Sequence, residues 1–202
     1  MEEVELKEAA INLARHIHES KFDGIIISGG SSSLSKALLY SAWRKEFPEE
    51  KVPKTITIPS EGNQILYKRT EPEDPIERQA VSTDWIDKNM PELWELKDKK
   101  VCLLDDIAVS GDKVRNLSEL FHNLGFKQFE TALFGASRNA ELTESTFVGS
   151  QNFELVSRLY TATSRIQGNV HIDDSELPED SEKEIRNRGL NDLRGMVGEI
   201  RK

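Results

Sequence analysis

The chain has a single cysteine, Cys102, among its 202 residues, so no internal disulfide framework can hold it. It has no apolar run near the ~20 residues that a membrane-spanning helix needs. The acidic start, Met1-Glu2-Glu3-Val4, lacks the apolar core of a signal peptide, so a cytoplasmic protein with no membrane partner is expected. Positive charge is in short supply. With 27 Lys and Arg against 36 Asp and Glu, the net charge of −9 speaks against nucleic acid as the main partner. There is no Gly-x-Ser-x-Gly elbow and no Walker lysine motif, which removes the common hydrolase and nucleotide-triphosphate signatures. His16, His18 and His122 show no ligand spacing with other His, Cys or acidic residues that would suggest zinc, and His171, which precedes Asp173-Asp174 as a metal site would allow, reads as part of an exposed acidic turn. Trp43, Trp85 and Trp94 fall on or after helical segments and read as core or interface rather than base-stacking residues. The glycosylation sequon Asn116-Leu117-Ser118 lies in a helical pattern and is discounted.

What is present is a regular alternation of apolar strands and amphipathic helices. Leu6, Ala10, Leu13 and Ile17 recur at helical spacing and predict a helix over 3–19. Asp23-Gly24-Ile25-Ile26-Ile27 is a short β-branched run, a buried strand, followed by the small-residue loop Ser28-Gly29-Gly30-Ser31-Ser32-Ser33. Leu34, Ala37, Leu38, Ser41 and Ala42 mark a second helix that ends before Pro48, and Thr55–Ile58 a second strand stopped by Pro59. Residues 59–73 read as a loop. Asp74-Pro75-Ile76-Glu77 is a helix start with Asp as N-cap and Pro at the first helical position. Val101–Leu104 is a third strand. Val114, Leu117, Leu120, Phe121 and Leu124 form one apolar stripe, closed by Gly125. Phe129–Phe134 and Phe153–Tyr160 are the fourth and fifth strands. The order implies an α/β fold, a mostly parallel sheet flanked by helices. The acidic stretch 171–184 reads as a solvated linker, and Leu190, Leu193, Val197 and Ile200 as a C-terminal helix. The expected division is an α/β domain over 1–165 and a small hood or helical extension over 166–202.

The chemistry concentrates at Val101-Cys102-Leu103-Leu104-Asp105-Asp106-Ile107-Ala108-Val109-Ser110-Gly111-Asp112-Lys113. An apolar strand leads to two adjacent carboxylates, and a Ser-Gly turn opens a helix. A helix N-terminus offers unpaired N–H groups and the positive end of a dipole to a phosphate. Carboxylates at the strand end accept hydrogen bonds from sugar hydroxyls or help hold a metal. Open α/β sheets bind ligands at the C-terminal ends of their strands.

This stretch resembles the phosphoribosyl-diphosphate motif of type I phosphoribosyltransferases: four hydrophobic residues, two acids, a few small or apolar residues, then Thr or Ser, Gly, any residue, and Thr or Ser. Val101–Leu104, Asp105-Asp106 and Ser110-Gly111 match it, and Lys113 departs from the final hydroxyl residue. The similarity extends over about residues 20–135, with Ile25–Gly30 at the place of the pyrophosphate loop and 59–73 at that of the loop that closes over the site. The family commonly carries Arg or Lys beside the Gly pair, where this chain has Ser28.

The resemblance implies that Asp105 and Asp106 hydrogen-bond the ribose hydroxyls and touch a Mg²⁺ ion only through the substrate. It implies that the backbone of Ala108, Val109, Ser110, Gly111, Asp112 and Lys113 surrounds the 5-phosphate, with the side chain at position 111 excluded by that phosphate. Ser28, Gly29, Gly30 and Ser31 would bind the pyrophosphate. Lys68 and Arg69 would neutralise it as it departs, and Arg138 would touch the base or pyrophosphate. The activity expected is Mg²⁺-dependent transfer of phosphoribose from the diphosphate to a nitrogenous acceptor such as a nucleobase. Its small-molecule substrates and a second copy of the chain, as a homodimer, are the expected partners. The alternatives are a non-catalytic phosphoribosyl-diphosphate or nucleotide-binding regulator, and an enzyme running the reaction in reverse or hydrolysing nucleotides.

Overall fold

Three consecutive isoleucines can be buried only where both faces of a strand are covered, and that is where Gly24–Ile27 (β1) lies, every residue buried. The computed structural model describes residues 2–28, 32–59, 62, 75–108, 110–151, 191, 195 and 198. Their elements run α1 (Glu2–Glu19), β1, α2 (Ser32–Glu46), β2 (Lys54–Thr57), α3 (Pro75–Asn89), a 3₁₀ helix (Pro91–Leu96), β3 (Lys100–Ala108), α4 (Asp112–Asn123), β4 (Gln128–Ala136) and β5 (Thr146–Ser150). The five strands form one all-parallel sheet in the order β2-β1-β3-β4-β5. This is the α/β fold that the alternating pattern predicts. Among the described residues no helix is long and apolar enough to cross a membrane.

Period-two alternation sends neighbouring strand residues to opposite faces. Ile25, Ile27, Cys102, Leu104, Ala132 and Phe134 pack with α1 and α2 through Leu6, Leu13, Ile17, Leu38 and Trp43. Ile26, Ile56, Ile58, Val101 and Leu103 pack with α3, the 3₁₀ helix and α4 through Ile86, Leu93, Leu96, Leu117 and Phe121. Trp43 is buried, and Trp85 and Trp94 pack against the second cluster, so all three tryptophans serve the core as expected. Cys102 is fully buried, and burial, reinforced by the charge of Glu130, raises its thiol far above the ordinary range. An inert thiol follows.

Gly125 ends α4 as anticipated. At φ 85° it lets its own N–H reach the His122 carbonyl and the Phe126 N–H reach that of Phe121. The rings of Phe121 and Phe126 meet 4.7 Å apart, the apolar contact that accompanies this Schellman end.

Two boundaries differ from the sequence reading. The third strand does not stop at Leu104 but continues to Ala108, paired with β4 to its end. The acids therefore lie within the strand rather than beyond it. A strand also forms at Thr146–Ser150, which the apolar pattern had not marked. The strand expected at 153–160, the acidic segment 171–184 and most of the 166–202 extension lie outside the described residues.

Candidate functional site

The strand order reverses direction between β1 and β3: β2 lies on one side of this seam, β4 and β5 on the other. Such a switch point opens a crevice at the C-terminal strand ends. The residues delivered there are Ser28 from β1 and Asp105 and Asp106 from β3. Ser28 donates its N–H to the Leu104 carbonyl at 2.9 Å, which seats it beside Asp105 across the seam. Its hydroxyl is fully buried and has no hydrogen-bond partner among the described residues. Burying an unpaired hydroxyl costs free energy, so this one is an unfilled position.

Asp105 is 1% and Asp106 6% exposed. Asp105 Oδ1 accepts the Asp106 N–H at 3.0 Å. The ammonium of Lys113, from the first turn of α4, stands 2.6 Å from Oδ2, which otherwise has no donor. Burial drives the Asp105 carboxyl up from its ordinary range. Lys113 draws it back and Asp106 pushes it up again, leaving it at about 7. For Lys113 burial pulls the other way, but the two carboxylates outweigh it and hold the ammonium above its usual range. The departure at position 113 is thus turned inward onto the acid pair, not out to solvent.

The turn after β3 is braced. The Ser110 hydroxyl donates to Asp112 Oδ2 at 3.0 Å and accepts the Asp112 N–H at 3.3 Å. Gly111 is the N-cap of α4 at φ 91°, a left-handed conformation that side-chain-bearing residues rarely adopt. A Cβ there would run into the Glu141 carbonyl oxygen. The chain's own backbone therefore requires the glycine whether or not a phosphate binds beside it. Glu141 also donates its N–H to the Ser110 carbonyl (2.9 Å), and Ser137 donates its N–H to that of Ala108 (2.8 Å). The guanidinium of Arg115 pairs with both Asp112 and Glu141. Arg115 and Glu141 were not singled out from sequence. Arg115 stands three residues after Asp112, a visible helical pair, but nothing local announces Glu141.

The structure thus brings Ser28, Asp105, Asp106, Ala108, Ser110, Gly111, Asp112 and Lys113 to one strand edge. Arg138 sits exposed in the turn after β4, with no ion pair among the described residues. Gly29, Gly30, Ser31, Lys68, Arg69 and Val109 lie outside the described residues, as does His171. Among the described residues no group of three or more His, Cys, Asp or Glu converges as a metal cage. The carboxylates of β3 are hard oxygen donors, of the kind that suit Mg²⁺.

Fold and crevice together define an α/β protein with a doubly wound parallel sheet and a polar cleft at its switch point. No family model matches the chain, and no curated protein matches it. Among solved structures it is similar to a purine phosphoribosyltransferase from Pyrococcus horikoshii Ot3 (18% identity, TM-score 0.40, 69% of this chain and 77% of that one). It is also similar to a phosphoheptose isomerase from Francisella tularensis (11% identity, TM-score 0.37, 96% of this chain and 84% of that one).

Proposed function

We propose that this protein transfers phosphoribose from phosphoribosyl diphosphate to a nitrogenous acceptor. The observation that carries the reading is the buried acid pair in β3, beside a Ser28 hydroxyl with no partner among the described residues and one turn before the N-terminus of α4. The motif of the sequence thus stands at the switch point of a parallel sheet, the context in which it has chemical meaning.

In this reading the C1–O bond to pyrophosphate breaks with its electron pair leaving on pyrophosphate. A bond from the acceptor nitrogen to C1 forms, and the nitrogen's proton passes to the medium. Positive charge grows on the ribose as the bond breaks, and the Asp106 carboxylate is placed to stabilise it. Ser28, with Gly29, Gly30 and Ser31 that follow it in the chain, would receive the pyrophosphate. Lys68, Arg69 and Arg138 are the cations proposed to neutralise it, and the turn 108–113 would face the 5-phosphate. Mg²⁺, held through substrate oxygens near Asp105 and Asp106, would supply charge neutralisation for the leaving group.

A second reading is favoured by one observation: an ammonium already sits on Asp105 and a carboxylate, Asp112, already occupies the first turn of α4. A site so furnished suits a phosphoribosyl-diphosphate-binding regulator without turnover. Incubation with the diphosphate, Mg²⁺ and a panel of bases separates the two. Pyrophosphate release with one base supports the transferase, and binding without release on any base supports the regulator. The Asp105→Asn, Asp106→Asn double variant should lose donor binding with the fold intact; unchanged calorimetric affinity would remove both readings.

A further inference from the structure

An ammonium at the second helical position of α4 faces the positive end of the helix dipole, where cations are disfavoured. Lys113 is held there by the Asp105 carboxylate, whose side chain is 2% exposed, while its own side chain is 40% exposed. Swinging the ammonium away would leave a buried carboxylate uncompensated, a strongly unfavourable state. Both oxygens of Asp105 are therefore occupied, Oδ1 by the Asp106 N–H and Oδ2 by Lys113. The unfilled hydrogen-bonding position beside them is the Ser28 hydroxyl.

We propose that Lys113 is a resident cation of this crevice: it supplies at Asp105 the positive charge that a paired-acid rim otherwise takes from a divalent ion, and so lets the crevice hold a pentose 5-phosphate without added metal. The proposal rests on the phosphoribosyl reading of the site and adds a specificity to it. Mg²⁺ is then needed for the diphosphate of the donor, not for the sugar phosphate. The Ser28 hydroxyl, which has no partner among the described residues, is the group left for the sugar, and the Lys113 charge sits on Asp105 at the start of α4.

The test is calorimetric titration of the full chain with ribose 5-phosphate, in Mg²⁺ and in EDTA. The wild-type protein should bind with affinities within about threefold of each other in the two buffers, a difference under 1 kcal/mol. Lys113→Thr, with its fold checked by circular dichroism, should lose about tenfold or more in EDTA and recover most of it in Mg²⁺. Lys113→Arg should keep the wild-type pattern, since a merely structural lysine would not set the metal dependence. A wild-type protein that itself loses about tenfold on chelation overturns the proposal without need of any variant, and leaves the phosphoribosyl reading standing. Lys113→Thr that matches wild type in both buffers also overturns it. Failure of the wild-type chain to bind either ribose 5-phosphate or phosphoribosyl diphosphate in any buffer removes the phosphoribosyl reading and this inference with it.

Discussion

The strands β1 and β3 run side by side, and their two ends are furnished in opposite ways. At the N-terminal end Asp23, Lys100 and Ser20 pair with one another. The Asp23 N–H donates to the Lys100 carbonyl (2.8 Å), the Lys100 N–H donates to Asp23 Oδ2 (2.9 Å), and the Lys100 ammonium donates to the Ser20 carbonyl (2.7 Å). At the C-terminal end, among the described residues, the Ser28 hydroxyl is buried without a partner, and Asp105 is buried with an ammonium and one N–H for company. One pair of strands thus carries a closed polar seam at one end and an open one at the other. The closed end serves the fold; the open end keeps unspent hydrogen-bonding capacity, the mark of a ligand site.

The largest expected effect breaks the open end itself. Gly111→Ala forces a Cβ onto a residue at φ 91° and against the Glu141 carbonyl. The turn, its brace from residues 137–141 and the start of α4 must all shift. Chemical denaturation should show a loss of about 2–4 kcal/mol. A variant as stable as wild type would mean that the turn is not held as the structure has it.

The next effect is a pH dependence confined to the open end. The folded-state pKa of Asp105 lies above that of an unfolded aspartate, so the native chain binds this proton more tightly than the unfolded chain does. Its contribution to stability is therefore full below about pH 4 and is lost as pH rises to about 7. Asp105→Asn removes the titration. Its stability relative to wild type should improve between pH 5 and pH 8 by on the order of 2 kcal/mol, read from urea midpoints at the two pH values. Parallel pH profiles for the two proteins would show that Lys113 alone satisfies this carboxylate.

What the sequence made legible follows the same division. The strands β1, β3 and β4 declare themselves because apolar runs buried on both faces need no partner to be recognised. The acid pair and the Ser-Gly turn were legible because their chemistry is local. The direction of Lys113 was not, since it depends on how the start of α4 is set against β3. Glu141 lies 26 residues from Arg115, and only the short link from β4 to β5 brings them together. β5 was missed for a physical reason. It is a half-buried run of five residues, and its Gly149 reads as a break in a strand pattern. The structure gives that glycine a purpose, because a Cβ there would strike the Ala9 carbonyl of α1. The stacking of His16 of α1 on Phe147, at 3.9 Å, completes a contact that no local pattern encodes.

The smallest effect sharpens the contrast most directly, because it compares one side chain at each end of the same strand. Asp23→Ala removes an acceptor from a satisfied pair at the exposed N-terminal end, and should cost about 0.5–1 kcal/mol after discounting for solvent. Ser28→Ala removes a buried hydroxyl that bonds to none of the described residues, and should leave the unliganded protein unchanged or stabilise it by up to about 1 kcal/mol. The sign of the second result is the informative part. A hydroxyl that served the fold would cost stability when deleted, as its counterpart at the other end does. One that awaits a ligand costs nothing until the ligand is present, so Ser28→Ala should weaken phosphoribosyl diphosphate binding while its denaturation midpoint holds or rises. A falling midpoint with unchanged affinity would place Ser28 in the structural machinery and close the open end of the comparison.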